Sequence, residues 1–359
     1  MSIYAVLGAG NGGQALAAVL KQMGHEVRLW NRSQGTVGAI QHGRGIQVTG
    51  QITFHARIDK VTSDISEALD KARIIFIVVP ASAHLDVAKL IAPHIRGDQA
   101  IVLNPGRTMG CLEVRNALRE NGLSELPIIM ETQSLFCACR ASSPGNVNIL
   151  SFKADNHISC IPKRRFVEVK DALSAIYRNM LLAPSVLYTG FENIGAILHP
   201  APVLLNTGWI ESRDVFFPHY YYGISKSVAA FLEKIDLERL EVAEEYGVKV
   251  RSVKVWHEDN YGCKGSNLFE TLQRNSAYAS VDAPRVLKHR YITEDIPTGL
   301  VPISELARAA GLKTPLTDMI IELGNALLKI DFWAEGRNLR RLGLEGKTAS
   351  EIIRCINID

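Results

Sequence analysis

At 359 residues the chain is long enough for one large domain or two, each with its own core. With 47% hydrophobic and 21% charged residues it has an ordinary globular composition. The formal charge of +3 and the short basic clusters Lys163-Arg164-Arg165 and Arg337/Arg340/Arg341 argue against nucleic acid as a partner.

The opening "MSIYAVLGAG" runs straight into a strand-and-turn pattern, so a cytoplasmic location is the expectation. No membrane association is expected either, because the longest strongly apolar run, "IIFIVVPA" (74–81), is too short to span a bilayer. Cysteines 111, 137, 139, 160, 263 and 355 form no CxxC pair or disulfide framework. Free thiols and no resident metal are expected.

The first forty residues follow one plan. "IYAVLG" (3–8) predicts a buried strand, "QALAAVLKQM" a helix closed by Gly24, and "EVRLWN" (26–31) a second strand. Between the first strand and the helix stands Gly8-Ala9-Gly10-Asn11-Gly12-Gly13, a GxGxxG fingerprint in the setting that gives it meaning. Gly8 allows the tight turn, Gly10 lets a pyrophosphate approach the backbone, and Gly13 permits close helix–strand packing. Asn11 and Gly12 lie at the helix N-terminus, whose N–H groups attract the anion.

At the end of the second strand an NAD site usually carries an acid for the ribose hydroxyls. Here the chain reads Trp30-Asn31-Arg32-Ser33. A guanidinium beside small polar groups suits a 2′-phosphate, so NADP is favoured over NAD. With Arg32 stacked on the adenine instead, either cofactor would fit.

The alternation continues with an extended pair over 46–58, a capped helix "SDISEALDKA", a strand "IIFIVVP" (74–80) and an amphipathic "SAHLDVAKLIAPHI". Next come "AIVLNPG" (100–106), the helix "CLEVRNALREN" and the strand "IIMETQS" (128–134). Parallel strands joined by helices make a doubly wound Rossmann-type sheet with ligands at the carboxyl ends of the strands. That places Pro80, Ala81, Asn104 and Gly106 beside the cofactor. "NVNILSF" and "NHISCIP" read as a late hairpin, "FVEVKDALSAIY" as a helix and "SVLYTG" as the last strand. The expected division is a dinucleotide-binding domain over 1–185 and a helical domain over 186–359.

Helical segments dominate the second half, among them "FENIGAILHPAPVLLNTGWIE". There His199 and Asn206, seven positions apart, fall nearly on one helical stripe at about 100° per residue. Pro200 and Pro202 lack N–H groups, so the carbonyls of Ala196 and Leu198 lose their helical partners and the helix should be interrupted beside the imidazole. A satisfied core histidine is the competing reading. In "RYITEDIPTGLVPISEL" (290–306), Arg290 is suited to grip a carboxylate and Asp295 to fix an imidazole's tautomer. A structural ion pair between them is the bland alternative. The run "FFPHYYYG" (216–223) offers groups for a substrate side chain or for packing.

These segments together resemble the opine dehydrogenases, the family of octopine and N-(1-carboxyethyl)norvaline dehydrogenases. The likeness rests on "YAVLGAGNGGQALAA", "IVVPA", "LNPG", "ET" with "CR" at 131–140, "NIGAILHPAPVLLN", "YYYGISKSVAAFLEKIDLER" and "RYITEDIPTGLVPISELAR". It implies a Rossmann-type domain followed by a helical one, and reductive condensation of an amino acid with a 2-oxo acid, pyruvate by analogy. It also implies His199 as acid/base, Asp295 as its partner, Arg290 as a carboxylate clamp, and Asn193 and Asn206 in the same pocket. A homodimer is the usual outcome for such enzymes. The rivals are a reductase of the glycerol-3-phosphate or ketopantoate type, which uses a lysine that "GFENIGAILHP" lacks, and a catalytically silent dinucleotide sensor.

Overall fold

The apolar runs of the first half become strands in the computed structural model, which describes residues 3–153, 156–177, 180–212, 214–279 and 281–357. In chain order they are β1 (Ile3–Leu7), β2 (Glu26–Trp30), β3 (Ile46–Gly50), β4 (Phe54–Ala56), β5 (Lys60–Thr62) and β6 (Ile74–Ile77). Then follow β7 (Ala100–Leu103), β8 (Ile128–Thr132), β9 (Cys137–Ser143), β10 (Asn146–Phe152), β11 (Asn156–Ile161) and β12 (Met180–Leu182). Eight of them form one sheet in the order β12-β11-β8-β7-β6-β1-β2-β5. From β8 to β5 the strands are parallel, while β11 runs antiparallel to β8. Helices α1 (Asn11–Gln22), α2 (Gln34–His42), α3 (Ile65–Leu69), α4 (His84–Ile91) and α5 (Gly110–Glu120) lie between the strands in sequence. The order reverses between β1 and β6, the switch point beyond which a doubly wound sheet binds its ligand.

The remaining strands form a second sheet, β4-β3-β10-β9. This corrects the expected hairpin of "NVNILSF" with "NHISCIP": β10 pairs with β9 and β3, whereas β11 pairs with β8 and β12. Burial explains the separation. Alternate residues of β10, Val147 and Ile149, are buried, which suits a sheet wet on one side. In β11 nearly every residue is buried, which suits the interior of the main sheet. The helix Gln34–His42 and the short strand Lys60–Thr62 carry too weak an apolar pattern to be read from sequence.

"SVLYTG", expected as a strand, is instead the helix Val186–Phe191. Its β-branched Thr189 is accommodated because the hydroxyl donates its one proton to Glu131 at 2.5 Å, with the Val186 carbonyl one turn earlier 3.2 Å from the same oxygen. We label α6 as Lys170–Ser174 and this helix as α7. The chain divides into two compact units, one of residues 1–189 with 355–359 and the other of residues 190–354; the sequence reading had put the boundary near 185.

In the second unit, α8 (Gly195–Leu198), α9 (Pro200–Leu205) and α10 (Thr207–Ile210) are short pieces of what composition alone suggests is one helix. Beside them runs the 20-residue α11 (Lys226–Glu245), capped by Ser225. The fully buried Arg239 of α11 ties these parts together. It donates to Asp236 at 2.6 and 2.8 Å, to the Arg251 carbonyl at 2.7 Å and to the Phe191 carbonyl. A buried guanidinium is tolerated only with such a full set of acceptors.

The β1–α1 turn is the tightest part of the first unit. Gly8 has φ +111°, and a Cβ there would stand 2.5 Å from the Val78 carbonyl oxygen. A Cβ on Gly13 would stand 1.7 Å from the Gly8 carbonyl oxygen, so any side chain must push α1 off β1. We expect Gly13→Ala to destabilise the fold by about 1–3 kcal/mol or more and to weaken dinucleotide binding at least about tenfold, as read by urea unfolding and NADPH fluorescence titration.

Candidate active site

In the first unit the glycine turn presents a cradle that fits a dinucleotide. The region around Gly10 is open, with nothing within 4 Å of where its Cβ would be, and no side chain caps the N-terminus of α1. The N–H groups of its first turn are thus left for an anion. Gly12 and Gly13 are buried in the packing behind it. The neighbouring polar residues serve the backbone. The Asn31 carboxamide oxygen accepts from Ala9 N–H at 3.1 Å, Asn11 accepts from Ala141 N–H at 3.0 Å, and the Ser33 hydroxyl caps α2. Arg32 is exposed and makes no hydrogen bond or ion pair among the described residues.

The other expected cofactor positions differ in access. Pro80 is exposed at the end of the β6 segment, whereas Ala81 and Gly106 are buried. Asn104 is 1% exposed and accepts from the Thr132 hydroxyl at 3.0 Å. Its Nδ2 has no partner among the described residues.

In the second unit the structure brings His199 and Asp295 together. His199 is the residue at which α8 ends and α9 begins, held there because Pro200 and Pro202 cannot continue the helical ladder. Asp295 precedes a π-helical turn, Ile296–Leu300. Gly299 in that turn lets it press on α8: a Cβ there would lie 2.7 Å from the Ala196 Cβ and 3.3 Å from Asn193 Nδ2. The buried Asp295 carboxylate accepts from His199 Nδ1 at 2.8 Å. This hydrogen bond places the proton on Nδ1 and leaves Nε2 as the working nitrogen. Some 16% of the His199 side chain remains accessible.

Two tyrosines complete the imidazole's surroundings. Tyr291 stacks on its face at 4.0 Å between centroids and 12° between planes. The Tyr220 hydroxyl lies 3.1 Å from Nε2. Burial first, then Tyr278, Tyr291 and Asp295, push the Tyr220 hydroxyl well above the usual phenol range. It therefore stays protonated and donates to the imidazole. Sequence reasoning noticed the aromatic run around Tyr220 and the "RY" pair but did not identify either ring as a partner of His199. Nothing in the spacing reveals it, because the contact joins segments 21 and 92 positions away.

Arg290 does not pair with Asp295. Its Nε and Nη2 donate to Glu294 at 3.0 and 2.7 Å, one helical turn on, while 55% of its side chain stays exposed. Asn206 ends α9 and uses its Nδ2 to donate to the Pro202 and Gly223 carbonyls at 2.7 and 2.8 Å. That is a structural role for the amide nitrogen, and the interruption at His199 removes the common stripe expected from an unbroken helix. Asn193 is buried against the Gly299 turn.

The interruption also recruits a second histidine. His219 Nε2 donates at 3.3 Å to the Leu198 carbonyl, one of the two that the prolines leave without a helical partner. Burial first, then the nearby His199, depress the His219 pKa to about 3. A group whose folded pKa lies below its ordinary value binds protons preferentially when unfolded. Its stabilisation is present above about pH 6.5 and is lost as pH falls toward 3. We expect stability at pH 4.5 to be about 2–3 kcal/mol lower on this account, and His219→Asn, which keeps a donor for Leu198, to flatten that slope in urea unfolding at pH 7 and 4.5.

The chain is similar to known proteins in both sequence and fold. Residues 182–328 match the family described as NAD/NADP octopine/nopaline dehydrogenase, alpha-helical domain, and residues 4–107 match the NAD-dependent glycerol-3-phosphate dehydrogenase N-terminus. An opine dehydrogenase of Arthrobacter sp. (strain 1C) is 40% identical over 350 residues, covering 97% of both chains. One from Haliotis discus hannai is 29% identical over 75% of this chain and 73% of its own. Octopine dehydrogenase solved with NADH and L-arginine superposes with a TM-score of 0.83 at 21% identity, over 100% of this chain and 98% of that one. Yersinopine dehydrogenase with NADP+ bound gives 0.76 at 15% identity, over 100% and 98%. The Rossmann-type sheet followed by a helical unit is thus a shared fold, and the chain belongs to the opine dehydrogenases, a family of NAD(P)-dependent oxidoreductases.

Proposed function

We propose that this protein joins the amino group of an L-amino acid to the carbonyl carbon of a 2-oxo acid, pyruvate by analogy, and reduces the product to a secondary amine. The observation that carries the reading is the alignment of Asp295, His199 and Tyr220 along the two ring nitrogens. The bound dinucleotide supplies the hydride. His199 Nε2 takes one proton from the substrate ammonium to free the attacking amine. After addition the carbonyl oxygen receives a second proton from the added nitrogen and the stored one from His199 and leaves as water, and the protonated imine is what the hydride reduces. Asp295 holds the ring and balances its charge while the proton is aboard. Tyr220 holds Nε2 by hydrogen bond until a substrate group replaces it. Arg290 offers its unengaged guanidinium edge to a substrate carboxylate.

A screen of amino acids with pyruvate tests this, following NADPH and NADH consumption. We expect turnover with at least one amino acid and a loss of roughly 10²–10⁴ in kcat for His199→Ala, with dinucleotide affinity unchanged. Consumption of reductant at wild-type rates by that variant would remove His199 from the chemistry. A chain that binds NADPH without turnover would be a sensor.

The cofactor choice rests on Arg32, an exposed cation that no described side chain neutralises. A guanidinium recognises a phosphate through parallel charged hydrogen bonds that a ribose hydroxyl cannot match. We expect kcat/KM to favour NADPH, and Arg32→Ser to reduce the NADPH-to-NADH ratio at least about tenfold. Wild-type preference for NADH would overturn the assignment.

A further inference from the structure

The first unit contains a cavity of about 450 Å³ that the chemistry above does not use. Small-molecule sites commonly fall within roughly 300–1,000 Å³. The late turns of α1 contribute Val19 and Met23, the second sheet and its approaches contribute Phe54, Phe136 and Phe152, and Ile176 closes the wall after α6. Among the described residues that line the cavity, none is acidic.

Polar side chains interrupt the apolar wall: Gln22, Gln51, Asn156, Tyr177 and one cation, Lys153. Lys153 forms no ion pair or side-chain hydrogen bond among the described residues. By area it is exposed, yet burial first and then Arg107 lower its pKa to about 8. A side chain on the wall of an open cavity satisfies both facts, since cavity water wets it while protein atoms surround it. Tyr177, 5% exposed, has a hydroxyl sealed at the inner wall with no hydrogen-bond partner among the described residues. A buried hydroxyl left unpaired is a standing penalty that a ligand acceptor would remove.

We propose that this cavity binds a small monocarboxylate with an apolar body, its tail against Val19, Phe54 and Phe136 and its carboxylate on Lys153. The carboxylate follows from a cation with no ion-pair partner among the described residues and from the lack of acidic side chains in the described lining. The apolar body follows from the aromatic walls and from Phe152, which is 38% exposed. Its lining shares no residue with the glycine turn or with the surroundings of His199, so the proposal stands or falls independently of the proposed reaction.

Octanoate serves as the probe and 1-octanol as its uncharged counterpart, both titrated calorimetrically into the full-length protein. We expect saturable one-to-one binding of octanoate, at least about tenfold tighter than octanol. Lys153→Met should weaken octanoate about tenfold or more and leave octanol unchanged, with NADPH binding retained as the check that the variant is folded. Val19→Trp, which fills the cavity, should abolish both, with retained NADPH binding proving that the variant is folded. No saturable octanoate binding to the wild type, equal affinity for the two probes, or unchanged octanoate affinity in Lys153→Met would each overturn the proposal.

Discussion

The hydrogen bond between Asp295 and His199 decides what the second unit can do, because it converts an ambiguous imidazole into an oriented one. A free imidazole presents either nitrogen and rotates. One anchored at Nδ1 presents a single nitrogen in a single direction. Three departures from regular helix make that anchor: the break at Pro200 and Pro202, the π-turn after Asp295, and Gly299, whose missing side chain lets the turn meet α8. Local irregularity of this kind concentrates at functional sites, where regular secondary structure is given up for side-chain placement.

Much of this was legible in the sequence, and the limits have physical reasons. His199, Asp295 and the helix interruption could be read because proline has a mandatory local effect and because the flanking segments resemble a known family. The parallel sheet could be read from buried apolar runs. Strand partners could not: "NVNILSF" and "NHISCIP" adjoin in sequence but belong to different sheets, and only their burial patterns distinguish them. "SVLYTG" has strand composition, yet the Thr189 hydroxyl donates to Glu131 and lies beside the Val186 carbonyl of its own helical turn. Tyr220 and Tyr291 could not be singled out, since aromatic residues pack far more often than they assist an imidazole. The likeness of residues 4–107 to glycerol-3-phosphate dehydrogenase shows how little a nucleotide fingerprint reveals about the reaction.

Around the glycine turn, residues that look ligand-facing in sequence mostly satisfy the backbone. Asn11, Asn31 and Ser33 each accept a main-chain N–H. A loop short enough to approach a pyrophosphate cannot pair its own amides in regular structure, so neighbouring side chains must do so. What stays unengaged is correspondingly informative: the open surface at Gly10 and the exposed guanidinium of Arg32.

Glu294 gives Arg290 a resident counter-ion before any ligand arrives. An anion reaching that guanidinium therefore meets a charge already half neutralised, and it shares the cation rather than capturing it. Shared cations release their guests readily. Under the proposed clamp role, this arrangement would trade tightness for rapid exchange of the bound acid.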